Sequence, residues 1–462
     1  MMRRGGTRFL LYPQAPPSFA TPELVWINSP PGSIGPGPSD ARLRAILPAL
    51  DKQPYAPPRD MPPFDGPTLA PAMPDAQGHF DHLHPNSPQF LAAHLYGAAR
   101  FTLDVWEAYL GAPVRWWHAD RVPTLELIPN VAWNNAHSGP GYIETGTRLN
   151  REGEANLFCL NLDVVAHEVG HAIVFSVLGI PPPGRLSAQY LAFHESFSDL
   201  VALITALQFD SVIDRFLDQA FGNLYALSLI NRVGELSDIE QIRAVDFAVG
   251  LSAFDGFQLR PDGGWTDPSG RDRTQHQLAH PLTAAIFCAL IEVFQDALVT
   301  RGVIPPDDDT RGWDRAEIEE DIERLHRQFG SSLARLRPEF RAALHTARDW
   351  TGRTLARMLQ RLSPDDLTFA AIARSFLAEA LADGPADNSW AFTDYFLARD
   401  IEAPPLLALE PQRPRRRSYL ERVLVAEQAR ALRAVTQRRV EIEDYAALRR
   451  LMPHGFRAEP GW

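Results

Sequence analysis

Cysteine is nearly absent from this 462-residue chain, which holds only Cys159 and Cys288. Two thiols cannot build the disulfide framework that holds small secreted domains together. Both stand in apolar surroundings and read as buried free thiols, with a single bridge between them as the alternative. Long apolar runs are missing as well. No stretch of about 18 consecutive apolar residues occurs, so no membrane span is expected. Basic residues are in deficit, 45 Lys and Arg against 57 Asp and Glu, for a net charge of −12. A chain this acidic makes a poor nucleic-acid binder. Its one basic run, Arg413-Pro414-Arg415-Arg416-Arg417, reads as a solvated tether between helices. The apolar stretch Phe9-Leu10-Leu11-Tyr12 is too short for the core of a signal peptide. The expectation is a cytoplasmic protein with neither nucleic-acid nor membrane partners, and of unassigned oligomeric state.

Apolar residues make up 45% of the chain, enough for two or three lobes with cores of their own. Pro and Gly concentrate in residues 1–85, which read as an N-terminal extension wrapping a core, with β-like pieces at Arg8–Tyr12 and Leu24–Ile27. The run His79-Phe80-Asp81-His82-Leu83-His84 reads as a loop of coincident histidines. Residues 86–210 alternate helical and strand patterns: a helix over Gln89–Leu110, then strands at Leu125–Ile128, Val131–Trp133, Tyr142–Glu144 and Leu157–Leu160. Residues 211–400 read as mainly helical, with segments at Ser211–Ala220, Ile239–Val249, Thr283–Thr300, Arg315–Phe329, Pro338–Leu359 and Asp366–Ala382. Residues 401–462 read as a C-terminal helical arm containing Ser418–Arg433. The fold class expected is α+β, a mixed-sheet lobe followed by a helical one.

Against this background stands His167-Glu168-Val169-Gly170-His171, inside a helical pattern from Asp163 to Leu178. Residues four apart share a helix face. His167 and His171 can therefore aim at one metal ion, with Glu168 beside them in reach of a bound water. Two imidazoles plus a third ligand leave a position open for water, which suits zinc. Chance is the plain alternative, since the chain holds 14 histidines. The flanking residues are apolar, however, and polar groups on a buried helix need partners. A second motif, His194-Glu195-Ser196-Phe197-Ser198-Asp199, leads into the apolar helical pattern Ser198–Phe209. Glu195 can supply the third ligand. Asp199, one turn later, can accept the N–H of a metal-binding histidine and fix its tautomer. A solvated acidic face is the bland reading of that pair taken alone.

The two motifs together resemble the gluzincin metallopeptidases, and among them the thermolysin-like family. The run Asp163-Val164-Val165-Ala166-His167-Glu168 is similar to that family's active-site helix. Asn130-Val131-Ala132-Trp133-Asn134 looks like its peptide-binding edge strand, and His276-Gln277-Leu278-Ala279-His280 lies where it carries a transition-state histidine. The resemblance covers residues 85–300 in patches. It implies a two-lobe fold with one zinc ion between the lobes, bound by His167, His171 and Glu195. It implies Glu168 as general base, passing a proton to the leaving amine. Asp199 would orient His167, and His276 would stabilise the oxyanion. The backbone of Ala132 and Trp133 would pair with a peptide or protein substrate.

The chain also departs from the family. Between His171 and Glu195 it has 23 residues, a longer connection interrupted by Pro181-Pro182-Pro183-Gly184. That insertion displaces the family's oxyanion tyrosine, for which Tyr190 is the substitute and an ordinary core tyrosine the alternative. Asp272 is the candidate partner of the transition-state histidine, and His280 competes with His276. The loop Gln258–Gln275 is expected to deliver His276 to the cleft. Asp163 matches a calcium ligand, but the acidic residues completing that double site are missing, so calcium is not expected there. Asp163 then serves the helix N-terminus. Two further readings stand beside a metallopeptidase. One is a latent or single-substrate zinc hydrolase held inactive by its N-terminal segment. The other is a non-catalytic scaffold retaining the site.

Overall fold

A computed structural model of the chain describes residues 5–16, 20–149, 155–182, 185–224, 250–254, 256, 258–259, 265–270, 272–273, 275–311, 315–365, 367–383 and 389–403. The patterns at Ile239–Val249 and Ser418–Arg433, the arginine run and Pro183-Gly184 lie outside the described residues.

The Pro/Gly-rich first segment does more than wrap. β1 (Thr7–Leu11) and β2 (Glu23–Ile27) form an antiparallel pair with Phe9 opposite Val25. Their alternation buries Phe9, Leu11, Val25 and Ile27 in the main core. β3 (Leu43–Ala45) joins the principal sheet. α1 (Pro88–Leu110) starts where the Ser87 side chain accepts the Phe90 N–H, with Pro88 at the position that needs no donor. It ends at Gly111, φ 74°, in the left-handed conformation that glycine tolerates.

β4 (Leu125–Ile128), β5 (Ala136–Gly139) and β6 (Tyr142–Thr145) complete a mixed sheet of order β3-β4-β6-β5. β3, β4 and β6 run parallel, and β5 is antiparallel to β6. One face carries Leu43, Leu125, Leu127 and Ile143 into the main core with α1. The other face carries Glu126, Ile128, Tyr142 and Glu144, covered by residues 46–64 through Ile46, Tyr55 and Phe64. β7 (Thr147–Leu149) and β8 (Ala155–Leu157) pair antiparallel.

α2 (Leu162–Val177), α3 (Ala188–Ala206) and α4 (Asp210–Gln219) follow. The small strands β9 (Gln258–Leu259), β10 (Trp265–Thr266) and β11 (Asp272–Arg273) precede α5 (Gln275–Thr300), α6 (Arg315–Arg361), α7 (Phe369–Asp383) and α8 (Ser389–Leu397). α5 is the centre of the helical part. By length and composition its segment His276–Thr300 could cross a membrane, but 89% of its apolar window is buried inside the molecule, among α3, α6 and α8. The molecule is thus α+β with a mixed sheet.

Several expected boundaries move. Val131–Trp133 is irregular chain, not strand, and Leu157–Leu160 is the last strand residue followed by a tight 3₁₀ turn. α3 starts at Ala188 under a Ser187 cap, well before Ser198. Arg315–Phe329 and Pro338–Leu359 fall in two helices that follow one another within α6 across a non-helical residue, Leu336 (φ −124°, ψ 31°), two residues before Pro338. Proline removes one helical donor and crowds the preceding turn, which is the cause of the kink.

Candidate metal centre

α2 presents His167 and His171 one turn apart, ring centroids 4.7 Å from each other. α3 brings Glu195 to them because the two helices touch at Gly170, where a Cβ would lie 2.7 Å from the Ser198 Cα. One ligand atom from each of His167, His171 and Glu195 lies within 4.8 Å of the others. Glu195 Oε2 is 3.4 Å from His167 Nε2 and 3.9 Å from His171 Nε2. Asp199 Oδ1 stands 2.9 Å from His167 Nδ1. His276 Nδ1 lies 2.5 Å from the same Glu195 oxygen. The group can hold a metal ion.

Burial opposes charge on His167, but Asp199 and Glu195 outweigh it and push its pKa up to about 10. Burial, aided by the neighbouring histidines, holds His171 well below the usual range, so its imidazole is neutral. Burial alone would raise Glu195, but His276 and His171 beside it keep its carboxyl well below the ordinary carboxylate range. Glu168 is raised by its burial, against the pull of His167. His194, packed 4.3 Å from Phe175 and 4.7 Å from Tyr190 between ring centroids, is lowered by burial to about 3.

The Ser138 side chain, on β5, lies beside Glu168 and favours its charged form. β5 is the edge of the sheet among the described residues. The expected peptide-binding residues Ala132 and Trp133 are not on that edge. The Ala132 N–H donates to Lys52 O at 2.8 Å, and the Trp133 carbonyl accepts from the Thr147 N–H at 2.8 Å, so those groups are bonded within the chain. Ser138 escaped the sequence reading, because only the strand pairing and the packing of β5 on α2 bring it beside Glu168, and so did the pairing of His137 with Glu144 on the other face of the sheet.

Tyr190 makes a structural contact. Its buried hydroxyl donates to Gly179 O at 2.8 Å and ties the end of α2 to the start of α3. His276 is delivered by the first turn of α5, not by a loop, because α5 starts eight residues before Thr283. His280 is one turn further along the same helix, and Thr283 anchors that turn to α3 by donating to Ser196 Oγ at 2.9 Å. Asp272 sits in β11 opposite Thr266. Asp163 does not cap α2: Asn161 does, accepting the Asp163 N–H at 3.1 Å. The buried Asp163 carboxylate accepts instead from Gln14 Nε2 at 3.3 Å, and burial raises it to about 7. Cys159 and Cys288 are both buried free thiols. His79 Nδ1 accepts the Arg8 N–H and Asp81 pairs with Arg8, so these members of the histidine run are engaged in structure. Comparison with protein-family models and with curated proteins finds no match.

Proposed function

We propose that this chain is a thermolysin-like zinc metallopeptidase that hydrolyses peptide bonds with Glu168 as general base. One observation carries the reading: the buried donors of His167, His171 and Glu195 converge with Glu168 beside them and a strand edge against it. The donor set suits zinc, with two imidazoles, one carboxylate and no thiol. The Asp199 contact on Nδ1 leaves His167 Nε2 facing the Glu195 oxygen, as a carboxylate does when it orients a metal-binding histidine. Zinc in this place would polarise the scissile carbonyl and bring the pKa of a coordinated water to about 7.

The protein residues do the rest. An extended peptide or protein segment adds to the edge of β5. Glu168 takes the proton of the attacking water and hands it to the departing amine, and its raised pKa suits both directions of transfer. His276 is the donor we assign to the carbonyl oxygen as it gains charge. The sheet with α1, α2 and α3 then forms one lobe and α4 to α8 the other, with zinc between them. The latent reading needs an N-terminal segment that fills the cleft. Residues 46–64 instead cover the sheet face opposite to the one packed on α1, which favours an open enzyme.

The test is wild type against Glu168→Gln, with zinc measured per chain and both offered a denatured protein and a mixed peptide library. The expectation is one zinc in each and cleavage slower by about 10²–10⁴ in the variant. Folded protein without zinc would sink the reading, and zinc in both without cleavage by either would favour the latent hydrolase or the scaffold.

A further inference from the structure

Glu144 is fully buried on β6, on the face of the sheet turned away from α1. Its oxygens meet three partners. Lys52 Nζ is 2.5 Å from Oε1, the Tyr55 N–H donates to Oε2 at 2.7 Å, and His137 Nε2 lies 2.8 Å from Oε2. The Lys52 side chain is only 7% exposed, and its ammonium also lies 3.4 Å from the centre of the Tyr55 ring. Well-packed apolar side chains would hold the sheet about as firmly as a buried ion pair, so stability alone does not account for these charges. Their placement does. His137 and Glu144 face each other directly across the β5–β6 pair. The next residue on β5, Ser138, points to the opposite face, where β5 packs on α2 and the Ser138 side chain lies beside Glu168. β5 is four residues long and lies at the sheet edge, so its register depends on cross-strand links of this kind.

We infer that Lys52, Glu144 and His137 form a positioning chain that fixes β5 against β6 and holds its edge in register with Glu168; that this edge receives substrate rests on the peptidase reading above. The Pro/Gly-rich segment is then part of the working site, because it supplies the lysine.

The test compares wild type with the double variant Lys52→Met/Glu144→Leu, which removes both charges together and strands neither. His137→Phe breaks the link, and His137→Gln keeps a donor for Glu144. Amide hydrogen exchange over residues 134–145 should rise by about tenfold or more in the double variant and in His137→Phe, while α2 stays within about twofold. On a peptide that wild type cleaves, KM should rise about tenfold with kcat within about threefold, and His137→Gln should stay near wild type. Unchanged exchange over 134–145 would overturn the inference. So would exchange rising equally in α2 and α3, since the three residues would then be a general stabiliser. If wild type cleaves nothing but the strand loosens as described, the peptidase reading fails and the positioning chain stands.

Discussion

At Gly170 two effects of opposite sign meet in one hydrogen atom. In a helix, Ala is favoured over Gly by about 1 kcal/mol. Here a methyl group would sit 2.7 Å from the Ser198 Cα and 2.9 Å from its Oγ. Backbone on the far side yields little, and overpacking costs about 1–3 kcal/mol. The clash should win, so Gly170→Ala is expected to lower stability by about 1–2 kcal/mol and to weaken zinc binding by moving α3 away from α2. Denaturant unfolding and a zinc competition titration read the two effects, and an unchanged midpoint would show that α3 moves freely. At this scale the sequence was most legible where the spacing lies within one helix. His167 and His171 share a face in any α-helix, and so do Glu195 and Asp199. Tyr190 was not legible, because a hydroxyl goes to whatever tertiary packing brings near, here the Gly179 carbonyl.

α2 begins with an acid in its first turn, Asp163. A carboxylate there benefits from the helix dipole, yet burial dominates and raises it to about 7. The unfolded chain releases this proton near the ordinary value of about 3.9. Between those values the folded state holds a proton that the unfolded state has lost, so this group's contribution to stability falls as pH rises, by about 1.4 kcal/mol per unit at most. Asp163→Asn removes the penalty. Its melting temperature should match wild type near pH 4, exceed it increasingly up to pH 7, and level off above, and a constant difference across that range would contradict the assignment. Elements with local punctuation were readable: Ser87, Pro88 and Gly111 mark both ends of α1. α5 starts earlier than its apolar periodicity does, because its first turn carries the site residue His276 in place of a core side chain, and α3 starts earlier because the Ser187 side chain caps it at Ala188. Val131–Trp133 has the composition of a strand but is irregular chain bonded to Lys52 and Thr147.

The candidate centre joins α2 and α3 and is touched by α5, so a bound ion would link the helices of both parts of the molecule. Anything that binds only the folded state stabilises it, by about 4 kcal/mol at a thousandfold excess over Kd. Chelation should therefore lower the melting temperature by on the order of 5 °C, zinc should restore it, and Glu195→Ala should respond to neither. A wild type indifferent to chelator and zinc would argue against a metal in this group. The division of labour across the molecule follows from the range of each interaction. The sequence by itself determined the α+β class, the helices with clear caps and the ligand spacings, because these depend on residues within a turn or two of one another. Tertiary structure alone decided that the Pro/Gly-rich segment contributes β3 and Lys52, and that β5 and not Ala132-Trp133 is the sheet edge beside Glu168. Those outcomes depend on strand register and on burying charged and apolar groups against partners scores of residues away, for which no local pattern in the chain exists.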